Sequence, residues 1–122
     1  TGPVEFQNNY YITVNEKLTQ PDAEAHCSKT YKDGTLYSFE DGATNVMGNY
    51  WTGIVYNERT NRHEFGNGTK FTFANPIKGL NNGRKLCLGR KKNETSIEFH
   101  TSKCCNAEKN FICKSPQEQA IN

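Results

Sequence analysis

Five cysteines carry most of the chemistry that can be read from this 122-residue chain: Cys27, Cys87, Cys104, Cys105 and Cys113. Three of them crowd into the stretch TSKCCNAEKNFIC at residues 101–113, two side by side. Thiolates either ligate zinc or join as disulfides, and spacing and compartment decide which. No CxxC pair is present, and only His26, beside Cys27, and His100, near Cys104, lie close to a cysteine in sequence. That spacing argues against a metal cluster. Small size, the cysteine count and two N-x-[ST] sequons, at Asn67 and Asn93, point instead to an oxidising compartment and to glycosylation at those two asparagines. Five sulfurs forming two bonds can pair in fifteen ways, with one sulfur left over, and spacing alone does not choose among them.

The histidines raise a second possibility. His26, His63 and His100, with a lysine, could imitate the paired acid and base of a small basic secreted nuclease. Each also has a plainer role: His26 faces Asp22 at i,i+4 on a helix, His63 precedes a hairpin and His100 ends a strand. Serine-nucleophile signatures and phosphate-cradling glycine loops are absent, and the one cue to a reactive Cys104 thiol is the neighbouring Lys103. A chain without catalytic residues or cofactor is expected.

Charge is placed unevenly. The net value is +2, yet residues 65–93 hold seven basic side chains and no acidic one: Lys70, Lys78, Arg84, Lys85, Arg90, Lys91 and Lys92. This island suits an acidic protein face or a sulfated glycan, while the plain reading is a loop kept in water. Its confinement to one segment of an extracellular chain argues against nucleic acid as partner. No apolar run approaches the roughly 20 residues needed to cross a bilayer, and no stretch reads as a signal peptide. A mature secreted protein, or the extracellular domain of a membrane protein, is expected.

These residues must be positioned by a lean scaffold, 34% hydrophobic with a mean hydropathy of −0.87 and long enough for one core. Residues 10–14 (YYITV) predict a strand with Tyr10 and Tyr11 on opposite faces. Thr19 then suits a helix N-cap, with Asp22 three residues on, Pro21 in the first turn and Ala23, Cys27 and Tyr31 on one buried face up to a stop at Gly34. Residues 34–38 read as a turn into a short strand and residues 40–47 as a second helix. The run at 51–56 (WTGIVY) is the most strand-like in the chain, which makes Trp51 a core residue. Residues 63–73 predict a hairpin around Asn67 and Gly68, with Phe71 and Phe73 on one face. Residues 74–85 have loop composition, strands follow at 86–90 and 95–99, and a last one at 111–114. The sum is an α+β class with antiparallel sheets, one or two helices and a long loop, divided into an N-terminal extension at 1–9, a domain at 10–114 and a loosely held tail at 115–122.

In order along the chain, Ala23-x-x-x-Cys27, Gly34-x-Leu36-x-Ser38, Trp51-x-Gly53-Ile54, Phe65-x-Asn67-Gly68, Cys87, and Cys105 with Phe111-Ile112-Cys113-Lys114 beyond it resemble the framework of a C-type lectin-like domain. The resemblance covers about residues 10–114. It implies a bond from Cys27 to Cys113, fixing the first helix to the terminal strand, and a second from Cys87 to Cys105, closing the long loop. Cys104 is then the spare sulfur, available for a disulfide-linked partner or dimer; a shift of the second bond to Cys104 stays open.

Sugar-binding members of that family hold a calcium ion through an E-P-N or Q-P-D triplet and a W-N-D triplet, because this hard cation takes six to eight oxygens. Here the corresponding loop reads Ala74-Asn75-Pro76-Ile77, and the second place falls on His100-Thr101-Ser102 or, one residue earlier, on Phe99-His100-Thr101. Neither supplies a carboxylate. The resemblance therefore implies a recognition domain for a protein ligand without a calcium site, or else a calcium-independent binder of sulfated or other anionic glycans through residues 70–92. The family proline, here Pro76, implies a cis bond.

Overall fold

The computed structural model describes residues 3–39, 43–44, 46–57, 59–64, 87–94, 97–102 and 107–121. One helix and eight strands follow in the order β1 (Val4–Phe6), β2 (Asn9–Leu18), α1 (Gln20–Thr30), β3 (Thr35–Leu36), β4 (Gly48–Asn57), β5 (Arg62–Glu64), β6 (Cys87–Lys92), β7 (Ile97–Ser102) and β8 (Lys109–Ser115). The main path of the sheet runs β1-β2-β8-β4-β6-β7, with β3 on β8 and β5 on β4.

The helix forms where its capping chemistry places it. Thr19 Oγ1 accepts from the Asp22 N–H at 3.4 Å, and Pro21 occupies the first turn, where no intrahelical N–H is needed. Ala23 and Cys27 are buried on the sheet side. Tyr31, at the C-cap, has left helical geometry, so the helix ends before Gly34. Gly34 has a different task. A Cβ there would overlap the Cys27 carbonyl oxygen and lie 2.9 Å from that of Tyr31, so the chain passes the helix end only without a side chain.

Alternation along the strands divides the core between two faces. Trp51 and Phe111 join Ala23, Cys27, Leu36 and Cys113 under the helix, while Tyr11, Tyr37 and Ile112 pack on the opposite face against Phe6, Phe39, Val46 and Tyr50. Tyr11 is buried and Tyr10 half-buried. Cys27 and Cys113 are bonded, with Cα atoms 5.3 Å apart, and the bridge spans 86 residues of chain.

Several elements differ from the sequence expectation. The sheet begins earlier, because Gln7 and Asn8, at φ 50° and 67°, make a two-residue turn that lays β1 antiparallel on β2. No second helix forms at the described positions 43, 44, 46 and 47: Phe39 turns into left-handed backbone at φ 60°, and the Val46 carbonyl accepts from Arg90 instead of a helical N–H. Between the run at 51–56 and the hairpin expected at 63–73, β4 and β5 pair as an antiparallel hairpin, with Asn61 at φ 56° in its turn. One pairing is parallel, Tyr50 with Asn110 between β4 and β8. The segment beyond Ser115 is exposed but tied down. Ser115 Oγ donates to the Lys32 carbonyl at 2.7 Å, Ala120 bridges Tyr31, and the Ile121 N–H donates to the Thr30 carbonyl at 2.6 Å.

Candidate functional site

Strand β6 brings three residues of the basic island into view. Register fixes their neighbours: Gly89 lies opposite Trp51, Arg90 opposite Tyr50, Lys91 opposite Asn49 and Lys92 opposite Gly48. The period of two then sends them to different faces.

Arg90 turns inward, a correction to its assignment as a ligand-binding residue. It is 4% exposed, its guanidinium carbon stands 4.1 Å from the centre of the Phe39 ring, and Nη1 donates to the Val46 carbonyl at 3.3 Å. Burial lowers its pKa, opposed by Tyr37, from a value so high that the charge remains. A cation held over an aromatic face can stay inside at modest cost, and here it secures Val46, just before β4.

Lys91 lies on the helix face and is exposed. Beside it stands a cation that composition did not single out. Lys109, the first residue of β8, carries its stem over Gly89; a Cβ at Gly89 would sit 3.3 Å from Lys109 Cε and Nζ. Nζ is 5.0 Å from the centre of the Trp51 ring and donates to Asn49 Oδ1 at 3.3 Å. The indole is fully buried and donates from Nε1 to the Leu18 carbonyl at 2.8 Å. Burial first and the charge of Lys91 second lower the Lys109 pKa. The sequence signal for this residue was the alternation Lys109-x-Phe111-x-Cys113, which places the ammonium on the face that holds the disulfide and Trp51.

Lys92 is half-buried at the end of β6, opposite Ile97 of β7 and Gly48 of β4. Two exposed apolar side chains meet the solvent at that end, Met47 at 52% and Ile97 at 46%. Asn93, one residue on, is exposed.

Other expected site residues fall elsewhere. Lys70, Lys78, Arg84, Lys85, Asn67, Pro76, Cys104 and Cys105 lie outside the described residues, as do Phe71, Phe73 and the Ala74-Asn75-Pro76-Ile77 segment. The backbone of Cys87 is described and pairs with Val55 and Ser102. The histidines occupy separate elements. His26 sets its ring edge-on to Phe111 at 5.6 Å, whereas His63 is buried on β5, where loss of solvent lowers its pKa. Among the described residues, no three His, Cys, Asp or Glu side chains converge in a way that could hold a metal ion.

No family model and no curated protein matches this sequence. Solved structures do match over almost the whole chain. A complex of SPL-1 with GlcNAc is similar at a TM-score of 0.73 and 14% identity, covering 95% of this chain and 93% of that one. The Ca2+-independent C-type lectin SPL-2 from Saxidomus purpuratus is similar at 0.71 and 21% identity, with 95% and 92% covered. EMS16, an antagonist of the collagen receptor integrin α2β1, is similar at 0.65 and 17% identity, with 95% and 98% covered.

Proposed function

From the C-type lectin-like fold that the chain adopts, we propose that it is a non-enzymatic extracellular recognition module engaging a protein ligand. The observation that carries this reading is the end of the sheet where β4, β6 and β7 meet. Met47 and Ile97, both half exposed, stand at the end of the sheet where Lys92 lies between Gly48 and Ile97, and exposed apolar groups rimmed by charge are the anatomy of a protein interface. An integrin antagonist among the structural neighbours supports the same class of partner. The Cys27–Cys113 bond and the exposed sequon residue Asn93 support an oxidising, extracellular setting. No helix among the described residues is long and apolar enough to cross a membrane.

The test is surface plasmon resonance against a panel of expressed extracellular domains. A saturable complex is expected, unchanged by EDTA and weakened at least about tenfold by Met47→Asp with Ile97→Asp, as for residues central to an interface. Absence of any complex, or one indifferent to both substitutions, overturns the reading. Calcium titration is expected to give no binding heat and no rise in Tm.

The paired cations Lys91 and Lys109 favour a second reading, calcium-independent binding of sulfated or other anionic glycans, and a calcium-independent lectin among the neighbours supports it. Retention on a sulfated-glycan array, reduced by Lys91→Glu with Lys92→Glu and by added salt, is the expected outcome.

The second staple belongs to the same proposal. Cys87 lies in register with Ser102, and Cys105 follows three residues later, roughly 10 Å of chain at full stretch. Peptide mapping by non-reducing mass spectrometry is expected to recover Cys87 joined to Cys105, leaving Cys104 as the spare sulfur for a covalent partner.

A further inference from the structure

Lys109 is poised differently from an ordinary surface lysine. Its stem lies across Gly89 and Trp51, its ammonium is anchored on Asn49 Oδ1, and Lys91, in register with that same Asn49 on β6, acts on it by charge. Lys91 lies in register opposite Glu98 of β7, and Lys109 is held by an amide oxygen and not by a carboxylate. Two like charges are thus held together by three strands, β4, β6 and β8, with one of them half desolvated. Such an arrangement raises the free energy of the unliganded surface, and an anion seated between the two ammonium groups relieves it. Glycine at position 89 lets the Lys109 stem lie flat on the sheet, which brings its ammonium to the strand that carries Lys91.

We propose that Lys91, Lys109 and Asn49 form an oxyanion subsite that receives one sulfate ester of an anionic glycan. The inference rests on the glycan reading above and narrows it from a stretch of sequence to one place on the sheet, including a lysine outside residues 70–92. Each ammonium donates to one sulfate oxygen. The Asn49 amide releases Lys109 Nζ from its carbonyl oxygen or turns its NH2 to the ligand. The ring of Trp51 takes no part in stacking a sugar, because it is fully buried; it acts as the floor that fixes the lysine.

Inorganic sulfate is the first probe. In the intact protein, the Nζ and Hε NMR signals of Lys109 and Lys91 are expected to shift saturably with sodium sulfate and not with sodium chloride at equal ionic strength. Lys109→Met keeps an apolar stem over Trp51 and removes the charge. It is expected to abolish the sulfate response of Lys91 and to weaken binding of a heparin-derived oligosaccharide about tenfold, the loss of one charge-assisted hydrogen bond. Lys29→Gln, on the exposed side of α1, is the matched control and is expected to change neither. An unaltered near-ultraviolet circular dichroism spectrum in Lys109→Met shows that the Trp51 environment has survived; Lys91→Gln provides a second removal of charge that leaves Trp51 untouched.

Equal responses to sulfate and chloride overturn the subsite. So does undiminished oligosaccharide binding by both lysine variants, in which case the glycan reading stands and the sulfate is received elsewhere. Saturable sulfate shifts in a protein that retains no oligosaccharide have the opposite meaning: the subsite holds and the glycan reading falls.

Discussion

Gly34 and Glu64 show what individual positions contribute. A Cβ at Gly34 meets backbone carbonyls that cannot swing aside, so Gly34→Ala is expected to lower stability by about 3 kcal/mol in urea unfolding, the upper range for overpacking. Glu64 is a different case. Its carboxylate accepts from Asn57 Nδ2, Arg62 Nε and Thr60 Oγ1, in that order of effect, and is held at about pKa 2. A folded-state pKa below the ordinary glutamate value of 4.5 means stabilisation that is complete above that value and lost as pH falls toward 2. Glu64→Gln is therefore expected to melt below the wild type at neutral pH, with the gap in Tm narrowing below about pH 4.5 and closing near pH 2. Chain order alone exposes neither role. Gly34 reads as a helix stop, which is close in position and wrong in cause, and Glu64 gains its three donors only when the β4–β5 hairpin folds back on itself.

At the scale of elements, legibility follows the range of the forces involved. Helix α1 was readable because its cap, its proline and its buried face lie within 13 residues of one another. Thr19→Ala is expected to cost about 0.5–1 kcal/mol, the lower part of the capping range, since the 3.4 Å bond is long. At the described positions of the helix expected over 40–47, the helix is missing for a non-local reason. Its local pattern is compatible with a helix, but Arg90, 44 residues on from Val46, takes that carbonyl and stacks on Phe39. Lys109 escaped notice for the same reason: it reaches Asn49 across 60 residues of sequence, through the β4–β8 pairing that only the assembled sheet specifies. The disulfide was legible through family resemblance rather than from spacing. Removing it by Cys27→Ala with Cys113→Ala is expected to cost roughly 4–5 kcal/mol on the loop-entropy account, read as the change in denaturation midpoint. That is a large share of the stability of a domain this size.

The described residues form a sheet with a core on each face, fastened at one end by covalent and hydrogen-bonded ties and bearing the charged and apolar candidate surface at the other. The fastening includes the final residues. Deleting residues 117–122 removes the Ile121 bond to Thr30 and the bridge to Tyr31, so the truncated chain is expected to melt lower and to lose amide-exchange protection at the end of α1, with β4 and β6 unaffected. The architecture, the helix and the principal staple were legible in the sequence. The surface was legible only in part, because whether a basic residue faces solvent or core depends on strand parity, which sends Arg90 inward and its neighbour Lys91 out.

Strand β8 also sets a direction. Its Ser115 end pairs with Tyr10, two residues beyond the β1–β2 turn, while its Lys109 end adjoins Leu18 and the candidate surface. Seven residues of extended chain separate the two, roughly 20 Å. A fluorophore, bead or sensor chip coupled near Val4 or Ala120 therefore sits at the far pole and leaves Met47, Lys91 and Ile97 facing the medium, so immobilised protein should report the same affinities as protein free in solution.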